Sequence, residues 1–289
     1  LVYKIMFTTF IQQHEVTIRL SAFFGILLMM ALWERWRPCR TPKLSVLLRW
    51  SNNLALVFLN SAVLRWLFPA AATGVAAFSV GHGWGVLHYY AVSQPLAIVI
   101  SIVALDGIIY LQHVMVHAVP VLWRIHRVHH ADPDFDVTTG LRFHPVEIIL
   151  SMLIKFASII VIGPPVVAVI VFEIILNGMA MFNHSNIRLP AGVDKVLRTL
   201  FVTPDMHRVH HSVEEDETNS NFGFNLSIWD RLFGTYKARP RLEQQTMVIG
   251  ILGHNDPKSV TWLPGLLLLP LRAAASQYVI NRRHWEKSE

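Results

Sequence analysis

Read from its N-terminus, the chain alternates long apolar runs with short charged stretches. The first run covers about residues 18–33 and is followed by a basic segment holding Arg35, Arg37, Arg40, Lys43 and Arg49. The charge follows the apolar run and no small-residue cleavage site precedes it, so the pattern predicts a retained membrane anchor, not a removable signal. A second run, about 53–80, is interrupted by Arg65 and Pro69, and a third spans about 94–111. The fourth, 148–182, is too long for one crossing at ~1.5 Å per residue through a ~30 Å hydrocarbon core. Gly163-Pro164-Pro165 divides it near its middle and predicts a hairpin of two helices. The pattern as a whole predicts an all-α integral membrane helical bundle of about four spans, with 53–80 open to being a broken or re-entrant helix.

The loops set the expected orientation. Segments 34–52, 112–147 and everything after 183 fall on one side. The other side holds the Gly-Pro-Pro turn and residues 73–94, which contain no Lys, Arg, Asp or Glu. The positive-inside rule assigns the charged side to the cytoplasm. Three parts follow: membrane-anchoring helices over 1–94, a histidine-rich helical cap and its supporting spans over 95–237, and an interfacial tail over 238–289. Within that tail, the Trp262–Leu271 run is too short and too proline-broken to cross, and is expected to lie against the interface or the protein.

Composition agrees with a membrane reading. Hydrophobic residues make up 53% and charged residues 15% of 289 positions, against about 25% charged in soluble domains. The net charge of +6 sits beside apolar segments, which favours anionic headgroups over nucleic acid. A single cysteine, Cys39, excludes an intrachain disulfide framework and a thiolate cluster. The chain has 15 histidines, and histidine is the commonest metal ligand.

Eight of them form three motifs: His113 and His117 as HxxxH, His126, His129 and His130 as HxxHH, and His207, His210 and His211 as a second HxxHH. The two pentapeptides HRVHH are identical. Residues at i, i+3 and i+4 share a helical face, so each HxxHH is expected to aim three imidazoles at one point. Eight nitrogen donors are a natural supply for two metals. All-imidazole coordination suits Zn, Cu, Fe or Ni; the supply exceeds what one structural zinc needs, and iron is favoured. Asp106, on the same face as His113 and nominally within the membrane, is expected to accept an imidazole N–H and fix its tautomer.

The order HxxxH, HxxHH, HxxHH in a hydrophobic chain resembles the fatty acid hydroxylase/sterol desaturase superfamily of membrane di-iron oxygenases. Arg142-Phe143-His144-Pro145, Asn183-His184-Ser185-Asn186, Asn221-Phe222-Gly223 and the Trp229–Tyr236 segment support the likeness over about residues 97–237. The resemblance implies two non-haem Fe ions held by the eight motif histidines, with His184 as a ninth ligand. His144 is a further candidate, either binding metal or orienting its loop with Glu147 and Arg142. Val114 stands where many relatives have Arg, which bears on subfamily and not on ligation. The activity implied is O2-dependent oxidation of a lipid C–H bond, with hydroxylation favoured over desaturation, on a fatty acyl, sterol or ether-lipid chain. Electrons are expected from a separate reductase, ferredoxin, cytochrome or pterin, since no NAD fingerprint or haem segment is evident. The expected location is a bacterial inner membrane with the metals cytoplasmic, or the ER membrane in a eukaryote.

The alternative class is a membrane metal-binding or transport protein without redox catalysis. Transporters place ligands near the midplane, whereas these motifs fall in predicted cytoplasmic segments. Other features read as structural. His14, His254 and His284 are expected to be ordinary surface or core residues, and His82 and His88 fall on the opposite side. Asp132, Asp134 and Asp136 lack the Gly and Glu of a calcium loop and are expected to be solvated. Trp229–Tyr236 is expected to be an interfacial or packing motif, and Arg124, Arg127 and Arg208 are expected to face headgroups or buttress carboxylates.

Overall fold

The computed structural model describes residues 9–254, 256–272 and 278–280. Among these residues the chain is helical with no strand, and isolated bridges such as Pro38 to Ile187 tie loops together. The main helices are α1 (Glu15–Trp36), α2 (Val46–Leu67), α3 (Ala71–Gly81), α4 (Val86–Tyr89), α5 (Gln94–Ala118), α6 (Pro120–His130), α7 (Pro145–Ile162) and α8 (Val166–Asn183). Proline stands in the first turn of α5, α6 and α7, where its missing N–H has no helical partner to lose. Pro69 follows the end of α2, so the 53–80 run is a broken helix.

Five stretches are long and apolar enough to cross a membrane: α1, Val46–Tyr89, α5, α7 and α8. The sequence pattern predicted about four. Gly163, at φ +69°, ends α7 in the left-handed region, and Pro165 caps α8, so the hairpin supplies two separate 18-residue helices. On α1, Leu20, Phe24, Leu28 and Leu32 form a stripe more than half exposed. Spacing by four puts them on one face, a surface suited to lipid.

Small residues let the helices approach. Ala72 and Ala76 of α3 pack with Ile159 and Val169 on the hairpin, while Leu105 and Ile109 of α5 meet Phe172 of α8. At one end, Gly85 and Gly163 touch backbone to backbone: a Cβ on Gly85 would stand 2.3 Å from Gly163 N. His144 caps α7 at its other end, roughly 27 Å away at ~1.5 Å per residue. The uncharged loop and the Gly-Pro-Pro turn therefore share the end remote from the histidine motifs, and His82 and His88 lie there too.

The C-terminal segment packs on the histidine-bearing helices. Ile251, Val260, Leu266, Leu269, Tyr278 and Val279 form a core with Leu56, Trp123 and Val128. The 262–271 run packs against protein through Leu266 and Leu269, while Trp262, Leu268 and Leu271 stay exposed. Arg127 donates to the carbonyls of Leu269 (2.6 Å) and Arg272 (2.9 Å), and Arg124 to that of Pro270 (2.9 Å), so both clamp this segment. His284 lies outside the described residues.

The acidic run after α6 departs from expectation. Asp132, Asp134 and Asp136 are buried, not solvated. Arg49 of α2 enters between Asp132 (2.7 Å) and Asp136, and Asp134 accepts the backbone N–H groups of Lys43 and Leu44. The compensating cation comes from a distant helix, which local spacing does not reveal.

Candidate metal centre

Nine buried histidines converge at this end of the bundle, in two adjacent groups. His113, His117, His126, His130 and His210 form the first; His129, His184, His207 and His211 form the second, and within each group the ligand atoms lie within 4.8 Å of one another. The nine are the eight motif histidines plus His184, while His144 belongs to neither group.

Each HxxHH is divided between the groups instead of aiming at one point. His126 and His130 turn to the first group and His129 to the second. In the other pentapeptide, on α9 (Pro204–His210) and its cap, His207 and His211 turn to the second and His210 to the first. Helix phase explains it. At 3.6 residues per turn, i and i+4 are about 40° apart, whereas i+3 lies about 100° from i+4. The i, i+4 pair stays together and the i+3 residue crosses over. Identical pentapeptides thereby serve opposite groups.

The first group is braced from outside. His113 Nδ1 donates to Phe222 O (2.8 Å), His210 Nδ1 to Ser220 O (2.8 Å), His117 Nδ1 to Asn219 Oδ1 (3.3 Å) and His126 Nδ1 to Glu147 Oε1 (2.7 Å). Three of these partners come from the strap 219–222. Asp230 anchors the strap by accepting Phe222 N (2.7 Å), Gly223 N (2.8 Å) and Thr235 Oγ1 (2.7 Å). Gly223 is required there, since a Cβ would meet Asp230 Oδ2 at 2.6 Å. Burial pushes the Asp230 carboxyl up to about 6.

In the second group only His184 has such a brace, donating from Nδ1 to Ala180 O (2.8 Å). His129, His207 and His211 have no Nδ1 partner among the described residues. Ring packing holds them: His129 stacks on Phe143 at 4.6 Å, and His211 on His130 at 4.5 Å. Gly140 makes room for the His184 bond, because a Cβ there would stand 2.4 Å from Ala180 O and 3.0 Å from His184 Nδ1.

These bonds test whether a metal fits. Carbonyls only accept, so the Nδ1 atoms of His113 and His210 carry the protons and both Nε2 atoms present lone pairs. Yet the two Nε2 atoms lie 3.0 Å apart. His184 Nε2 is likewise bare and lies 3.0–3.2 Å from the Nε2 atoms of His129, His207 and His211, and its one lone pair can accept an N–H from only one of the three. Protonation does not resolve the opposition: burial, helped by neighbouring imidazoles, pushes His184 and His210 down to about 3 and holds His129, His130, His207 and His211 well below the ordinary histidine range. A cation between the lone pairs does. Nitrogens ~2.1 Å from a metal and at right angles lie about 3 Å apart.

The remaining expected residues have other work. Asp106 accepts from Trp229 Nε1 (2.8 Å), Leu226 N (3.2 Å) and Asn225 N (3.3 Å), so its observed partners are an indole and two amides, not an imidazole. It ties α5 to the strap's far end; the face it shares with His113 is continued by the 222–229 loop folding over it. Trp229 consequently packs inward, its ring 3.1 Å from where a Gly107 Cβ would be, which is the packing role of the two expected, while Leu232 and Phe233 of the same segment stay exposed. His144 accepts from Val146 N (3.2 Å) as the cap of α7 and donates to Leu267 O (3.3 Å), leaving neither ring nitrogen turned to the groups. Arg208 pairs with Asp205 at 2.7 Å, the buttress expected. Sequence reasoning missed Asp230, Glu147 as the partner of His126, and Glu173, which sits within α8 between Lys155 (2.6 Å) and Arg19 (2.8 Å). Charged residues inside apolar spans were the available signal for Glu147 and for Glu173 with its partners Lys155 and Arg19.

The fold and site define an all-helical membrane protein with a buried polyhistidine centre. Residues 98–235, just under half of the chain, match the family model described as fatty acid hydroxylase, which supports the likeness to that superfamily. It is 29% identical to ornithine lipid hydroxylase OlsE of Rhizobium tropici over 195 residues, 67% of this chain and 56% of that protein. It is 29% identical to alkylglycerol monooxygenase of Xenopus tropicalis over 225 residues (75% and 46%), and 30% identical to that of Homo sapiens over 143 residues (49% and 30%). The chain thus spans about half the length, or less, of these curated relatives. No solved structure matches it.

Proposed function

We propose that this protein is a membrane-bound non-haem di-iron oxygenase that hydroxylates a C–H bond of a lipid. The observation carrying this reading is the pair of adjacent groups, five and four buried imidazoles, in the first of which the bare Nε2 atoms of His113 and His210 oppose one another unless a cation lies between them. The relatives' names, a lipid hydroxylase and alkylglycerol monooxygenases, support the reaction type. One oxygen atom of O2 enters the C–H bond as hydroxyl and the other leaves as water, with two electrons from a separate donor and two protons.

Two irons, when bound, would supply the oxygen chemistry; His113, His117, His126, His130 and His210 would hold one and His129, His184, His207 and His211 the other. The protein's own contribution is orientation and exclusion of water. The strap 219–222 and Glu147 hold four imidazoles with their protons outward, and Phe135, Phe143 and Phe222 pack against the rings. The positive-inside pattern favours a cytoplasmic site, with residues 1–94 as anchor and 95–237 as the catalytic part. Metal analysis of the purified protein, with mass spectrometry of lipids from expressing membranes, tests the proposal. Two irons per chain and an O2-dependent gain of one oxygen in a lipid are expected. One zinc per chain and unchanged lipids would refute it in favour of a metal-binding role.

A further inference from the structure

Gly107 lies on the outer stripe of α5. Leu96, Ile100, Val103 and Leu111 share that face at spacings of three and four, and all four are exposed, so this is the side the spanning helix turns to lipid. Trp229 is seated on the stripe at Gly107, its indole donating to Asp106. Gly107 stands six residues before His113, about 9 Å further into the apolar part of the helix. The short helix Ile228–Leu232 is therefore laid against the span at a level below the histidines. Phe233, just after it, stacks on Tyr110 of α5 at 5.3 Å. On the outer side Ile228, Leu232 and Phe233 are 48–67% exposed. A second segment extends the patch: Val193 and Val196 of the helix Ala191–Leu197, and Leu200 just beyond it, are also exposed. Ser227 N donates to Leu200 O (3.0 Å), Arg231 Nη2 donates to Arg198 O (2.9 Å), and Phe201 bridges Leu226, so the two segments form one surface. Its open charge is of one sign. Asp194 and Asp230, the acidic residues of 191–201 and 226–239, are buried, the first paired with Arg198. Lys195, Arg231 and Arg239 are exposed. Contiguous apolar surface rimmed by charge marks a place that something covers.

We propose that this surface, formed by 191–201 and 228–233, is seated in the leaflet on the histidine side of the membrane and binds anionic phospholipid headgroups through Lys195, Arg231 and Arg239. The bilayer is the occupant because the patch continues the lipid-facing stripe of α5 and its exposed charges are cationic, the pairing that suits the boundary between acyl chains and headgroups. The inference depends on neither the metals nor the substrate. Its test uses the full-length protein in a Cys39→Ser background, reconstituted into phosphatidylcholine vesicles and labelled with bimane at Leu232→Cys or Val196→Cys. Phospholipid with a nitroxide on its acyl chain reports contact with the bilayer, and iodide reports contact with water. Both labels should be quenched by the nitroxide lipid about as strongly as a label at Leu111→Cys on the α5 stripe, and little by iodide. Nitroxide-labelled phosphatidylglycerol should quench severalfold more than the same content of nitroxide-labelled phosphatidylcholine. Lys195→Gln combined with Arg239→Gln should lower that excess severalfold with metal content unchanged; Arg231 stays in place because it also ties the two segments together. Strong quenching by iodide overturns the proposal, as does shielding from both iodide and lipid, which would place a partner protein or a second copy on the patch. Equal quenching by the two phospholipids, or an excess that survives the double substitution, overturns the headgroup assignment.

Discussion

The two histidine groups contrast in how they are held. In the first, four of five imidazoles donate outward to a fixed acceptor, three of them to the strap 219–222. In the second, one of four does so, and the others are positioned by ring stacking and by the helix turns that carry them. Outer acceptors fix tautomer and ring orientation; stacking fixes the plane of a ring but not which nitrogen carries the proton. The first group is therefore preset for a cation by hydrogen bonds, and the second more by packing.

The contrast can be broken most forcefully at the ligands. His210→Ala and His207→Ala each remove a donor from a different group and should reduce lipid oxidation below detection, with metal content lowered and membrane insertion intact. A variant retaining full metal and activity would remove that residue from the proposed centre. A sharper cut leaves the ligands in place. Asp230→Ala should release the strap and weaken metal binding in the first group about 10- to 100-fold, whereas Gly140→Ala should act on the second by displacing Ala180 O from His184. Iron per chain should fall towards one in both variants, and X-ray absorption should find the remaining iron in a four-imidazole setting for the first and a five-imidazole setting for the second. Identical spectra would mean that the groups do not load separately.

Smaller effects mark the limits of the site. Trp229→Phe keeps the ring against Gly107 and loses one hydrogen bond to Asp106, worth about 1 kcal/mol of stability; a thermal shift of a few degrees with unchanged metal content is expected. His82→Ala, at the opposite end of the bundle, should change neither metal content nor activity.

Much of this was legible in the chain. The apolar runs located the spanning helices because a span needs a sustained length of apolar residues, and Pro69 and Gly163 marked their breaks. The eight motif histidines stood out by spacing. His184 did not: it has no i, i+4 partner, and only the resemblance singled it out. Asp132 and Asp136 looked solvated because Arg49, which neutralises them, lies more than eighty residues earlier. Asp106 looked like an imidazole acceptor because its helical face was visible and the loop folded onto that face was not.

What the sequence by itself determined was local: which segments are helical and apolar, and which imidazoles share a turn. These follow from a fixed period of 3.6 residues. Only the tertiary structure decided that each HxxHH is split between two groups, that His184 completes the second and that His144 joins neither. Those outcomes depend on how α5, α6, α8 and α9 cross and on which distant carbonyl, indole or guanidinium reaches each buried group. Such contacts join residues far apart in the chain, and no spacing along it encodes them.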